Sequence, residues 1–105
     1  MKDQLVVQLP LSGSTDFDAL IGIENGLIEL FRDNRAVQVD GHDIGQGRFN
    51  VFIESEEPWP SVLGRVRAFL EFRGVLDNAV VATRALDGEA YQVVWPSGHG
   101  QAFEL

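Results

Sequence analysis

The fold is decided by the middle of the chain, where residues 36–54 read AVQVDGHDIGQGRFNVFIE. Both ends of this segment, 36–40 and 48–54, alternate apolar and polar residues, and this period of two is typical of half-buried strands. The glycine-rich residues between them, 41–47, predict a long loop at the tip of an antiparallel hairpin. The alternation predicts that Phe49, Val51 and Ile53 face the core, while Asn50, Phe52 and Glu54 face outward.

An amphipathic helix is predicted upstream of this hairpin. Apolar residues recur at a spacing of 3.6 over 17–31, with Ile28 among them and Glu24 as the one interruption. Thr15, with Asp18 three residues further on, predicts an N-terminal capping box. The hairpin is therefore preceded by a helix whose apolar side packs on the sheet.

A second helix is predicted downstream of the hairpin. It begins within residues 55–60, SEEPWP, where proline suits the first turn and acidic residues complement the positive end of the helix dipole. Gly74 ends it, because glycine adopts the left-handed cap conformation without strain.

Three further strands complete the chain, at 5–11, 79–86 and 89–95, the last two around the hairpin signal Asp87-Gly88. The order βαββαββ predicts an α+β ferredoxin-like plait in one domain over residues 1–105, an antiparallel sheet with two helices on one face.

The other face of the predicted sheet is not covered by helices, and it can be solvated, bind a ligand or pair with a second copy. The residues predicted on it are Gln8, Gln38, Asp40, Asn50, Phe52, Glu54, Thr83 and Gln92.

Composition excludes several classes of protein. The chain has 105 residues with a net charge of −8, and this acidity argues against nucleic-acid binding, which depends on clustered Lys and Arg. It contains no cysteine, so disulfide scaffolds and thiolate metal clusters are excluded. The first residues lack a signal peptide and no run is apolar enough for a membrane span, so we expect a cytoplasmic protein with no membrane partner.

The residues that could carry catalysis do not form a coherent set. His42 and His99 each lie between glycines, and Asp43 beside His42 cannot easily orient its ring, because adjacent side chains of an extended chain point to opposite sides. No ligand spacing predicts a metal site, and the glycines of 41–47 precede a strand where a phosphate site needs a helix N-terminus. We therefore predict no catalytic residue and no cofactor, and a non-enzymatic function is favoured over an enzymatic one.

Acidic residues with an aromatic neighbour suggest a surface for a basic partner. Glu54, Glu56 and Glu57 precede Trp59, and Asp40 and Asp43 lie at the predicted hairpin tip. Such a rim with an aromatic anchor can capture a basic protein, although the same acids also serve the helix dipole and solubility.

Residues 40–54, with a glycine-rich tip and an Asn-x-Phe-Ile core at 50–53, resemble small uncharacterised bacterial ferredoxin-like (α/β plait) proteins. The resemblance implies a fold and carries over no catalytic residue.

The function predicted from the sequence is that of a non-enzymatic binding module for another protein, including an acidic inhibitor or immunity-type partner of a basic protein. The alternative is a small-ligand sensor or plait-type oxygenase that uses Asn50, Phe52 and His42 on the uncovered sheet face. A homodimer formed through that face or through the last strand is a third hypothesis.

Overall fold

A computed structural model describes residues 2–11, 16–85, 88, 90–96, 103 and 105. The elements in chain order are β1 (Asp3–Pro10), α1 (Asp16–Leu30), β2 (Val37–Gly45), β3 (Arg48–Ser55), α2 (Trp59–Phe72), a short 3-10 helix (Leu76–Asn78), β4 (Val80–Ala85) and β5 (Gln92–Trp95).

The strands form one antiparallel sheet in the order β2-β3-β1-β4-β5. The chain is thus an α+β domain with a five-stranded antiparallel sheet and two longer helices, as the sequence predicted at that level. The sheet has one strand more than a simple four-stranded plait, because β5 extends the edge beyond β4. β2 forms the opposite edge.

Both longer helices pack on the same face of the sheet. Alternate residues of β1 and β3 form the floor of a single buried cluster, and α1 and α2 each contribute one stripe of apolar side chains to it. The buried members are Leu5, Val7, Leu9, Leu20, Ile23, Leu27, Phe31, Val37, Phe49, Val51, Ile53, Val62, Val66, Leu70, Ala79 and Val81.

The buried stripe of α1 differs from the predicted one. Ile28 is 45% exposed, whereas Ile23 is buried and Glu24 is only 7% exposed. The helix is therefore rotated so that the carboxylate faces inward between apolar neighbours. Thr15 of the predicted capping box lies outside the described residues.

The predicted long loop at 41–47 is wrong. β2 continues to Gly45, and only Gln46 and Gly47 form the turn, both with positive φ angles of 48° and 76°. Positive φ at both central positions is typical of the two-residue turns whose twist matches a hairpin. Asp40 and Asp43 consequently lie within an edge strand and not at a loop tip.

The last hairpin is shorter than predicted, and its faces differ. β4 and β5 span 80–85 and 92–95, and Asp87 lies outside the described residues. Thr83 pairs with both Leu5 and Gln92, so Thr83 and Gln92 lie on the helix side of the sheet instead of the opposite side.

The sheet face opposite the helices is not open along its centre. Val6, Asn50 and Ala82 point to this face, yet each has no exposed surface. Tyr91 contributes to the cover, because its hydroxyl donates a 2.6 Å hydrogen bond to Gln4 Oε1 and its ring lies 5.3 Å from that of Phe103. The predicted uncovered face is thus covered at its centre, and Leu105 approaches it at β2, with its backbone O 3.4 Å from the position that a Cβ at Gly45 would take.

No helix of the described residues has the length and apolar character needed to cross a membrane.

Gly26 sets the distance between the two helices and provides a test of the fold. A Cβ at Gly26 would lie 2.4 Å from Phe69 Cζ, whereas a Cβ at Gly22 would have nothing within 4 Å. Ala is favoured over Gly inside a helix by about 1 kcal/mol, so Gly22→Ala should stabilise the protein by up to that amount. We expect Gly26→Ala to be less stable than Gly22→Ala by at least ~1 kcal/mol in urea unfolding, because the Phe69 ring must move. Equal stability of the two variants would contradict this helix packing.

Candidate functional site

A bulge in β2 determines which residues meet on each face of the β2–β3 hairpin. Val39 pairs with Ile53, and then Asp40 and Gly41 together lie opposite Phe52. Gly41 has a φ of 140°, a conformation that side chains disfavour. The extra residue shifts the alternation, so the next residue, His42, pairs with Val51 on the helix side.

His42 meets the inward carboxylate of α1. Its Nδ1 lies 2.9 Å from Glu24 Oε1, with the imidazole N–H as donor because the carboxylate oxygen accepts. The Glu24 side chain is 9% exposed and that of His42 is 32% exposed. The His42 ring also stacks on Phe49, with centroids 4.9 Å apart and planes 22° apart, while Phe17 approaches its edge. The pair joins α1 to the edge strand.

His42 is therefore separated from Asn50 and Phe52 by the sheet. Asn50 and Phe52 pair with Gln8 and Val6 on the opposite face. The three residues of the predicted small-ligand or oxygenase site do not line one cavity, so that grouping is wrong.

Asn50 is a buried residue and not a surface contact. Its Oδ1 accepts a 3.0 Å hydrogen bond from Gln8 Nε2, and the residue has no exposed area. Its own Nδ2 is buried without an acceptor in the part of the chain that the structure describes. Asn50 pairs with Asp43, so the two residues are neighbours in adjacent strands, and Asn50 lies next to the edge strand on this face.

Four of the predicted residues do share one surface. Phe52 is partly exposed on the face opposite the helices, and its neighbours across to β2 are Asp40 and Gly41. Asp43 and Glu54 lie on the same face, two pairing positions to either side of Phe52. Because Gly41 has no side chain, nothing on β2 covers the ring at that position. We call Asp40, Asp43, Phe52 and Glu54 the acidic aromatic patch.

The side chains of Asp40 and Asp43 are available to a partner. Both residues are exposed, and neither side chain forms a hydrogen bond or ion pair within the described ranges. Lys2 and Arg35 lie beside Glu54 at the far end of the patch, in a shallow hollow that also includes Gln38 and Glu56. The negative charge of the patch is therefore concentrated at Asp40 and Asp43.

Glu57 serves the fold instead of a surface rim. Its Oε2 accepts a 2.6 Å hydrogen bond from Asn34 Nδ2, and its Oε1 accepts from Arg65 at 2.7 Å and from Ser61 at 3.4 Å. The Asn34 hydrogen bond is the main cause that holds the pKa of Glu57 below its usual range; Arg65 and Ser61 add to it, and partial burial opposes it. Glu57 thus ties the turn after α1 to the first turns of α2.

Trp59 and Glu56 do not join the patch as an anchored rim. The Trp59 side chain packs partly buried against the core, and its backbone N–H donates to Asp3 Oδ2 at 3.3 Å. Glu56 is exposed, and its side chain makes no hydrogen bond in the described part of the chain. The predicted cluster of Glu56, Glu57 and Trp59 is therefore divided among different roles.

Arginine side chains are largely engaged within the molecule. Four of them lie over aromatic rings at 4.1–5.4 Å from the ring centroid. These pairs are Arg65 with Phe31, Arg67 with Trp95, Arg73 with Phe69, and Arg84 with Tyr91. These contacts fix the positions of the four guanidinium groups on the protein's own rings and leave their charge in place.

Sequence reasoning missed Glu24. The available signal was its position: a carboxylate inside an apolar helix stripe needs a hydrogen-bonding partner, and His42 is that partner. Among the described residues, no three His, Asp or Glu side chains are grouped closely enough to hold a metal ion.

Comparison with known proteins adds information on the fold alone. No protein-family model matches the chain, and no match was found among curated proteins. Among solved structures, the "De novo designed protein Foldit4" is similar, with a TM-score of 0.51 and 16% sequence identity over 85% of this chain and 100% of the designed chain. The designed protein thus shares the architecture with this chain.

A double-mutant cycle tests the Glu24–His42 contact. We expect Glu24→Ala and His42→Ala to show a coupling energy of ~1–3 kcal/mol in urea unfolding, as for hydrogen bonds to charged groups away from water. The matched pair is Glu29 and Arg32, which are 3.1 Å apart but about two-thirds exposed, and its coupling should not exceed ~0.5 kcal/mol. Equal coupling in both pairs would show that the Glu24 contact is not formed.

Acid unfolding tests the Glu57 contacts. A carboxyl group whose pKa is lower in the folded chain stabilises the fold above its ordinary pKa, and this contribution is lost as the pH falls through the folded-state value. The stability difference between wild type and Glu57→Gln should therefore shrink as the pH is lowered from about 5 to about 3. Glu56→Gln removes the same charge from an exposed neighbour and is the control. A constant stability difference for Glu57→Gln across this range would contradict the prediction.

Proposed function

We propose that the chain is a non-enzymatic module that binds a basic protein through the acidic aromatic patch. The observation that carries this proposal is the partly exposed Phe52 ring opposite Asp40 and Gly41, together with the exposed carboxylates of Asp40 and Asp43, which have no hydrogen-bond or ion-pair partner among the described residues. We also propose that the fold is a ferredoxin-like plait extended by β5 at one edge, and the strand order β2-β3-β1-β4-β5 supports this assignment.

The chemistry of the patch suits a lysine or arginine side chain. An aromatic ring attracts a cation over its face by about 0.5–1 kcal/mol at exposed sites. Carboxylates around the ring add hydrogen-bond acceptors and an attractive field, and the field raises the association rate more than the affinity. A basic side chain placed over Phe52 would satisfy both requirements at once.

The molecule as a whole supports the same choice of partner. Its net charge is −8, with 16 acidic residues against 8 Lys and Arg. A basic protein would therefore be attracted from beyond the patch itself, whereas an acidic protein or a nucleic acid would be repelled. One form of this function is inhibition, in which the module covers a basic functional surface of its partner.

The position of the patch at the sheet edge suits an extended peptide segment. Strand β2 is an edge strand, so backbone groups on its outer side are available to another strand. Asp40 and Asp43 discourage pairing of two β2 edges, because like charges would meet. The same residues favour a strand that carries basic side chains.

Titration with a hexalysine peptide tests the proposal. We expect backbone amide shifts in NMR spectra to concentrate at residues 38–44 and 50–54, and to weaken as the Debye length falls from about 30 Å to about 10 Å between about 0.01 M and 0.1 M salt. Asp40→Asn with Asp43→Asn should lower the affinity about tenfold or more, whereas Phe52→Leu should lower it less because the charges remain.

The matched control is the double variant Glu71→Gln with Asp77→Asn, which removes the same net charge from exposed positions near the end of α2. This control should bind the peptide nearly as wild type does. Equal losses in the two double variants would show that binding depends on total charge and not on the patch, and would overturn the proposal.

A further inference from the structure

The outer side of the helices carries an aromatic residue that the chain leaves uncovered. Phe72, the last residue of α2, is 87% exposed, and Leu30, the last residue of α1, is 41% exposed. Phenylalanine is among the residues most often buried, so this degree of exposure points to a contact with another molecule.

The two helices present one continuous layer to that molecule. Arg65 lies over Phe31 at one end of the pair, and Phe69 meets Gly26 one turn further along both helices. Since α2 advances while α1 recedes, the helices are antiparallel neighbours. Phe72 lies between Phe69 and Arg73, whose side chains both approach Gly26, so it lies at the end of α2 next to α1 and is exposed there.

The two helices have opposite charge. Residues 16–33, α1 and the turn after it, contain five acidic residues and one arginine, whereas residues 59–74, α2 and its cap, contain three arginines and one glutamate. Glu24 is buried against His42, and the exposed members include Asp18 and Glu29 on α1, Glu29 being paired with Arg32, and Arg67 and Arg73 on α2. A second copy related by a two-fold axis would place α1 of one chain on α2 of the other, so that unlike charges meet.

The exposed side of α1 also has room for an aromatic ring. Ala19 is exposed and small, and a Cβ at Gly22 would have no atom within 4 Å. The other sides of the molecule suit a second copy less well, because the β2 edge carries Asp40 and Asp43, which would face their own counterparts.

We propose that the chain forms a two-fold symmetric dimer through the outer sides of α1 and α2, with Phe72 of each copy packed over Ala19 and Gly22 of the other. The interface joins an apolar contact at each end to attraction between the acidic helix and the basic helix. This inference is independent of the acidic aromatic patch, which lies on the opposite face of the sheet.

Sedimentation equilibrium over a wide range of protein concentration tests the dimer. The wild-type mass should rise with concentration towards twice the 11.6 kDa of one chain. Phe72→Asp should raise the dissociation constant at least ~10-fold, as for the loss of a central aromatic contact. Ile44→Asp likewise replaces an exposed apolar residue by aspartate, at a position on β2 that is 44% exposed, and it should leave the dissociation constant unchanged.

A charge exchange tests which helices meet. Arg73→Glu should weaken self-association, and mixing it with Asp18→Arg should restore a mixed dimer in which the introduced charges attract each other. Circular dichroism checks that each variant is folded.

A wild-type mass of one chain at all concentrations, or an equal effect of Phe72→Asp and Ile44→Asp, would overturn the proposal. Neither result would affect the hexalysine test, which does not require two copies.

Discussion

The bulge at Asp40 and Gly41 controls the composition of both faces of the β2–β3 hairpin. Before the bulge, Val37 and Val39 point towards the helices, and after it His42 does so. Without the extra residue, Gly41 would face Glu24 and His42 would lie on the other side of the sheet, since the side-chain period of a strand is two. A single backbone irregularity thus supplies the partner of a buried carboxylate on one face and places a glycine opposite Phe52 on the other.

This arrangement connects stability and function through one short segment. Burial of the Glu24 carboxylate in the apolar stripe of α1 would destabilise the fold if no hydrogen-bond donor were nearby. His42 supplies that donor. The stacking of His42 on Phe49 fixes the position of β2 after the bulge. The carboxylates of Asp40 and Asp43 are consequently held on an ordered strand, so a partner would not have to order a loop when it binds.

The sequence predicted the number and type of elements, because periodicity in the chain directly reflects which side of an element is buried. Two local features were interpreted wrongly for physical reasons. Gly41, Gly45 and Gly47 suggested a loop, but glycine is equally suited to a bulge and a two-residue turn, and only strand pairing distinguishes these cases. Ile28 was assigned to the core because Glu24 was treated as an interruption, whereas Ile23 is the residue that is buried.

The candidate site was predictable only in part, because its residues are brought together by pairing across strands. Asp40, Asp43, Phe52 and Glu54 were identified from the alternation of two strands, and the register places them on one surface. Burial of Asn50 was not predictable, because it depends on what covers the second face, to which Tyr91 contributes from far along the chain. The role of Glu57 likewise depends on Asn34, a residue that periodicity cannot connect to it.

The two proposed surfaces lie on opposite sides of the sheet, and this geometry has a consequence for binding. A dimer joined through its helices would direct both acidic aromatic patches away from the interface, so neither patch would be blocked. Each dimer would then present two sites for basic segments. If a partner carries two such segments at a spacing that spans both patches, the second contact becomes intramolecular and the overall affinity can rise by about 10²–10⁴ without any new interaction at either patch. A weak single contact of a lysine with Phe52 and two carboxylates is therefore compatible with firm binding of a whole protein.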